Sequence, residues 1–150
     1  MNPASPFHAD CARIHQAWHD CAKAGDAAGL LALYAEDAVL ESPLVPVVLD
    51  DGRGPTTGVV EGRAAIGRFL AAGAKRLTRS LTRWHRSDTW MTDGARMLVW
   101  EYPYAAPDGA QVDIVEVMEI AGALIRRHRI YWGWYGAGLL MRHARGEPAL

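Results

Sequence analysis

The chain has 150 residues, half of them hydrophobic and 22% charged, and a formal net charge of −1 at pH 7. This length predicts one domain over residues 1–150, since such a chain buries about two-thirds of its unfolded surface around a single core. The balanced charge argues against a nucleic-acid partner. No apolar stretch approaches the roughly 20 residues of a membrane span, so a membrane protein is not expected either.

The two cysteines, Cys11 and Cys21, lie on one predicted helix. At a rise of about 1.5 Å per residue they are about 15 Å apart, so they cannot form a disulfide with each other. The first residues also lack the basic start and the apolar run of a signal peptide. We therefore expect a cytoplasmic protein with reduced thiols.

Three helices are predicted in the first half of the chain. Ser5 followed by Pro6 is typical of a helix start, and Gly25 is typical of a helix stop. A second helix is predicted over 27–34 and a third over 63–72. The buried stripe of the first helix consists of Cys11, Ile14, Trp18 and Cys21.

Strands dominate the second half. A short strand over 38–42 ends at Pro43, and the glycine- and proline-rich stretch after it is loop-like, suited to lining or covering a pocket. Four further strands, joined by hairpin turns, are expected to pair antiparallel. The polar tail from Arg142 is expected to fray. The strands are 79–89, 96–104, 111–120 and 124–134, with turns at Thr92-Asp93-Gly94, Pro107-Asp108-Gly109 and Ala121-Gly122.

This order of elements resembles the NTF2-like superfamily, in particular its SnoaL-like and ketosteroid-isomerase-like branches. The motifs AGD at 24–26, LLALYAEDAV at 30–39, EGRAAI at 61–66 and VEVMEI at 115–120 carry the resemblance. It implies an α+β cone in which three N-terminal helices close a curved antiparallel sheet around one largely apolar pocket. Because this fold hosts isomerases, cyclases, dehydratases, epoxide hydrolases and binding modules, it does not decide the function.

Three positions correspond to functional residues of ketosteroid isomerases. The resemblance places Ser42 at the proton-shuttling aspartate and Trp18 at the oxyanion-binding tyrosine. A serine cannot be that base, and an indole N–H is a poorer acid than a phenol, so steroid isomerisation by the family's own mechanism is not expected. Glu116 falls where the family has a carboxylic acid that donates a hydrogen bond to the oxyanion.

Strand alternation brings Glu116 and His128 together. Glu116 shares a face with Met118, and His128 shares a face with Ile130 and Trp132. The resemblance puts the His128 row inside. Facing one cavity from adjacent strands, a carboxyl and an imidazole could share a proton as a catalytic acid and base. A hydrogen-bonded core pair without a reaction is the alternative.

Asp113 is a third catalytic candidate, provided that a bulge inverts the alternation near it. The remaining candidates would line the pocket and bind the substrate, although a packed core would use the same residue types. They are Trp18, Ser42, Leu44, Phe69, Trp100, Tyr102, Met118, Ile130 and Trp132.

His15 and His19 have the spacing of two metal ligands on a helix, but the sequence ties no third ligand to them. We expect them on a solvated helix edge and expect no metal. The chain also has no phosphate-binding glycine loop and no nucleophile elbow, so no cofactor is expected.

The favoured function is a cofactor-independent acid–base enzyme, an isomerase, cyclase or dehydratase, acting on a small, apolar, cyclic molecule. A non-catalytic binding module is the first alternative. An epoxide hydrolase is the second, with Asp113 and either Arg96 or Arg126 around a water. A homodimer is expected through an outward row of the last strand, formed by Ile125, Arg127, Arg129 and Tyr131.

Overall fold

The structure is a computed structural model that describes residues 5–50, 57–76, 89–102 and 114–148. Its helices are α1 (Pro6–Ala24), α2 (Ala27–Leu31), α3 (Val45–Val48), α4 (Arg63–Arg76) and α5 (Trp134–Ala144). Its strands are β1 (Tyr34–Glu41), β2 (Val59–Glu61), β3 (Met91–Thr92), β4 (Met97–Tyr102), β5 (Ile114–Ala121) and β6 (Leu124–Trp132). The α+β class is confirmed.

The six strands of the described residues form one curved, unclosed sheet in the order β2-β1-β6-β5-β4-β3. Four of the five strand pairs are antiparallel, as predicted, but β1 and β6 are parallel. The prediction of a wholly antiparallel sheet is wrong at this pair. Strands far apart in the chain can pair in either direction, since no tight turn joins them.

The helices are more numerous than predicted. Ser5 caps the start of α1, with its side chain accepting from the His8 N–H (3.2 Å), and Gly25 caps its end with a φ of 66°. The predicted second helix ends three residues early, because Tyr34 belongs to β1. α3 lies in the predicted loop, and α5 replaces the end of the predicted last strand and part of the predicted tail. The described residues thus hold five helices, which corrects the three-helix cone.

A bulge in β6 shifts the predicted alternation. Glu119 of β5 pairs with Arg127, while its neighbour Ile120 pairs with Ile125, so Arg126 is the extra residue. Ile125 is therefore buried rather than outward. The predicted dimer face loses Ile125, and the homodimer itself stays a prediction. After the bulge, His128 and Ile130 are inward as predicted.

A hydrophobic core fills the space between the helices and the sheet. Its fully buried members come from α1, β1, the α3 region, α4, β4, β5, β6 and α5. Burial of this continuous apolar surface is what holds the α1 and α4 faces against the strands. The largest of them include Ile14, Tyr34, Leu40, Leu44, Ile66, Leu98, Trp100, Met118, Ile125 and Leu139. Helices of the described ranges are all too short or too polar to span a bilayer.

All but the last residue of the predicted strand over 79–89 lies outside the described residues, as do the turn at 107–109 and Asp113. The turn at 92–94 is confirmed and joins β3 to β4. There Asp93 Oδ1 accepts from the N–H groups of Ala95 (3.0 Å), Arg96 (2.8 Å) and Met97 (2.8 Å). These bonds to the ionised form lower the pKa of Asp93 from 3.8 to about 2.

Asp93 is expected to contribute a pH-dependent part of the stability. Because its folded pKa lies below its unfolded pKa, the contribution is present above pH 3.8 and is lost as the pH falls through about 2. In urea unfolding, Asp93→Ala should therefore lower stability at neutral pH, and the difference from wild type should shrink in acid. Asp93→Asn, which keeps an acceptor oxygen, should lose less. If Asp93→Ala lowered the free energy of unfolding equally at all pH values, the lowered pKa of Asp93 would not be the cause.

Candidate functional site

Glu116 and His128 lie next to each other in the core, on adjacent strands. His128 pairs with Met118, two residues along β5 from Glu116, so the two side chains are diagonal neighbours on the inner face. Their side chains are 3% and 0% exposed. His128 Nε2 and Glu116 Oε2 are hydrogen-bonded to each other. The bond compensates part of the cost of removing a carboxyl and an imidazole from water.

Tyr34 extends this pair into a chain of three polar groups. Its hydroxyl lies 2.7 Å from His128 Nδ1, and its side chain is fully buried. Tyr34 is the first residue of β1, and it reaches His128 because β1 and β6 run side by side. We define the Tyr-His-Glu chain as Tyr34, His128 and Glu116. Sequence reasoning missed Tyr34 as a site residue, because Tyr34 falls at the end of the predicted helix over 27–34.

Aromatic rings surround the Tyr-His-Glu chain. The Trp18 ring meets the His128 ring edge-on, with centroids 5.1 Å apart and an interplanar angle of 89°. The ring centroids of Trp18 and Trp100 are 6.1 Å apart, and Trp100 is the direct cross-strand partner of Glu116. The Trp100 indole N–H is buried and has no hydrogen-bond partner in the described part of the chain. Few water molecules could screen charges in such surroundings.

His15 and His19 are buried on the inner side of α1, at 3% and 2% exposure, so the predicted solvated edge is wrong. The reason is helical geometry, because positions 15 and 19 flank the inward residues 14 and 18. His19 Nδ1 lies 2.8 Å from the carbonyl of His15 and donates to it. Both rings contact Trp100, at centroid distances of 5.2 and 5.5 Å. Over the described ranges, no group of three or more His, Cys, Asp or Glu side chains is arranged to bind a metal.

Burial of His19 is expected to make the protein less stable in mild acid. Desolvation lowers the pKa of His19 below 6.5, despite the bond to the His15 carbonyl. As the pH falls below 6.5, the unfolded state takes up a proton that the folded state resists, so the free energy of unfolding decreases until the folded pKa is reached. His19→Gln should flatten this dependence in chemical denaturation between neutral pH and pH 5. An unchanged slope would contradict the assignment.

Other predicted lining residues are also core residues. Ser42 is buried, and its Oγ accepts from the Leu44 N–H (3.2 Å) and the Trp132 indole N–H (3.0 Å). Trp132 is half-buried. The side chain of Tyr102 and all of Asp113 lie outside the described residues. The buried members are Trp18, Leu44, Phe69, Trp100, Met118 and Ile130.

Ser42 borders an open depression of about 270 Å³ at the ends of β1 and β6, and the closed apolar pocket stays a prediction. Its wall is mixed in character, with Glu41, Arg129 and Tyr131 beside Val59. A site of this kind would admit a small molecule from the surface rather than enclose it.

The arginines considered for epoxide opening do not reach the Tyr-His-Glu chain. Arg126 is half-exposed at the bulge and forms two bonds to Asp37, at 2.7 and 2.8 Å. Arg96 is exposed and lies 3.9 Å from Glu119. Because Asp113 lies outside the described residues, the epoxide-hydrolase alternative stays a prediction.

Comparison with known proteins identifies the family. The SnoaL-like domain profile matches residues 15–128. No functionally curated protein shows significant sequence similarity to the chain. Solved structures with the same fold include a SnoaL-like protein of unknown function from Burkholderia thailandensis, with a TM-score of 0.65 and 16% identity, covering 84% of this chain and 97% of that one.

Two further structures carry functional names. A Bacillus subtilis protein named as a candidate isomerase has a TM-score of 0.58 and 19% identity, covering 91% of this chain and 93% of that one. A Sinorhizobium meliloti protein named as a candidate polyketide cyclase has a TM-score of 0.56 and 19% identity, covering 79% of this chain and 94% of that one. At these identities the likeness concerns the fold alone. The chain belongs to the SnoaL-like domain family of the NTF2-like superfamily.

Proposed function

We propose that this protein is a cofactor-independent acid–base enzyme that moves a proton on a small, apolar, cyclic molecule. The observation that carries the proposal is the buried hydrogen bond between Glu116 and His128. Titratable groups are costly to bury, and a carboxyl bonded to an imidazole inside a protein is a common arrangement for proton transfer. The corresponding reaction classes are isomerisation, cyclisation and dehydration.

The surroundings of the pair support this chemistry. Trp18 and Trp100 supply apolar contact area for a cyclic substrate, and they exclude water from the neighbourhood of the carboxyl. A general acid or base positioned in this way accelerates proton transfer by about 10² to 10⁴-fold. The names of the Bacillus subtilis and Sinorhizobium meliloti proteins agree with the same reaction classes.

A non-catalytic binding module is the alternative, and one observation favours it. Both ring nitrogens of His128 are already engaged inside the protein, with Tyr34 and with Glu116. A histidine held in this way can be a purely structural part of the core. The two functions differ in whether the bound molecule exchanges a proton.

Hydrogen–deuterium exchange tests the proposal without a known substrate. The protein is incubated in D₂O with cyclic ketones, cyclic alcohols or cyclic alkenes. The incorporation of deuterium at carbon is followed by NMR. We expect at least one of these classes of compound to exchange faster with the wild-type protein than in D₂O without protein. Glu116→Gln, which keeps the size of the side chain, should reduce this rate by about 10² to 10⁴-fold.

Glu119→Gln is the matched control, because Glu119 lies on the same strand and bonds to Arg129 on the outer face. Its exchange rate should equal that of the wild type. Full activity of Glu116→Gln would overturn the site. A tightly bound compound recovered without deuterium would favour the binding module instead.

A further inference from the structure

The Tyr-His-Glu chain leaves one polar atom open to a ligand. His128 uses Nδ1 toward Tyr34 and Nε2 toward Glu116, and its side chain is fully buried. Glu116 uses only Oε2 in this chain, and its other oxygen, Oε1, has no hydrogen-bond partner within the described ranges. The Glu116 side chain is also 3% exposed to solvent, whereas the His128 side chain is 0% exposed. A substrate would therefore meet Glu116 Oε1 and not the imidazole.

The acidities of the partners give the chain a direction. A phenol O–H is a stronger acid than the N–H of a neutral imidazole, so in the 2.7 Å bond the Tyr34 hydroxyl donates and His128 Nδ1 accepts. A neutral imidazole that accepts at Nδ1 carries its hydrogen on Nε2. That hydrogen is donated to Glu116 Oε2. A hydrogen bond received by a carboxyl oxygen favours the ionised carboxylate.

We infer that Tyr34 is a positioning residue that acts through His128 to hold Glu116 as a carboxylate with Oε1 free, so that Glu116 alone exchanges protons with the substrate. This inference rests on the proposed function and revises it in one respect, since His128 does not touch the substrate. A substrate C–H or O–H gives its proton to Oε1, and the bonding pair stays on the substrate. Return of the proton to another substrate atom restores the carboxylate, and no further reactant is consumed.

The tautomer of His128 can be tested without a substrate. In ¹⁵N NMR of the wild-type protein near neutral pH, we expect a protonated Nε2 and an unprotonated Nδ1. Tyr34→Phe removes the donor to Nδ1, so the Nδ1 resonance should shift. Tyr131→Phe makes the same chemical change on the exposed side of β6 and should leave both resonances unchanged.

Kinetics give the second readout. For any compound that exchanges deuterium, Tyr34→Phe should lower kcat by about tenfold, the equivalent of one lost hydrogen bond, with little change in KM. Glu119→Gln, the control on the outer face of β5, should lower neither. A purely structural Tyr34 would leave kcat unchanged, because the shift of the Nδ1 resonance reports only the loss of the hydrogen bond.

The outcomes separate this inference from the function on which it rests. A wild-type His128 protonated on Nδ1, or on both nitrogens, would overturn the inference even if exchange were fast. So would unchanged His128 resonances in Tyr34→Phe. If the His128 resonances are as expected but no compound exchanges deuterium, the proposed function is refuted. The direction of the hydrogen bonds in the Tyr-His-Glu chain would still stand.

Discussion

Replacement of His128 by alanine is expected to lower the free energy of unfolding by about 3–5 kcal/mol. Two effects contribute. The substitution leaves the buried Glu116 carboxyl and the Tyr34 hydroxyl without their common partner, and it opens a cavity beside the Trp18 ring. Chemical denaturation at neutral pH measures the loss. His143→Ala is the matched control, because His143 lies on α5 and is partly exposed, 3.7 Å from Asp50. It should change stability by less than about 0.5 kcal/mol.

A double-mutant cycle separates the two effects. If the hydrogen bond accounts for much of the loss, Glu116→Met combined with His128→Leu should cost less than the sum of the two single substitutions, because no buried carboxyl remains unpaired. Strict additivity would mean that cavity formation alone explains the loss, and that the bond between Glu116 and His128 contributes little to folding.

Two glycines of α5 are expected to respond with opposite signs to the same substitution. Gly136 is buried, and a Cβ placed there would lie 2.7 Å from Trp132 Cγ, closer than real contacts allow. The Trp132 ring cannot move away freely, since its N–H donates to Ser42 Oγ. Gly136→Ala should therefore destabilise the protein by about 1–3 kcal/mol.

Gly138→Ala should stabilise the protein. No atom lies within 4 Å of a Cβ placed at Gly138, and alanine is favoured over glycine inside a helix by about 0.5–1 kcal/mol. Urea unfolding of both variants measures the two changes in the free energy of unfolding. A change of the same sign in both would show that α5 does not pack against Trp132 in solution as described.

Much of the site could be predicted from strand alternation. The period of two places Glu116 and Met118 on one face of β5, and the observed burial alternates accordingly. Alternation also places His128 and Ile130 on one face of β6. The family resemblance predicts that this face is inward, and it is inward beyond the bulge. Alternation failed at Ile125, where the extra residue Arg126 inverts the two faces. A bulge of this kind depends on how two strands fit together, and no local composition marks it.

Tyr34 and the histidines of α1 show a second limit. The apolar periodicity of residues 27–34 suits a helix, but burial of Tyr34 beside β6 outweighs its local preference, and the chain enters β1 instead. His15 and His19 lie at the border of the apolar stripe of α1, where their burial depends on whether Trp100 packs against that border. Both cases depend on neighbours that are distant in the chain.

By itself the sequence determined the α+β class, the limits of α1, the antiparallel pairing of β4 with β5 and β5 with β6, and the faces that Glu116 shares with Met118 and His128 with Ile130. Caps, turns and side-chain periodicity are local, so they can be read from neighbouring residues. Only the tertiary structure decided the parallel pairing of β1 with β6, and with it the contact between Tyr34 and His128. That contact joins residues 94 positions apart, and the burial of the whole core, rather than any local preference, brings them together.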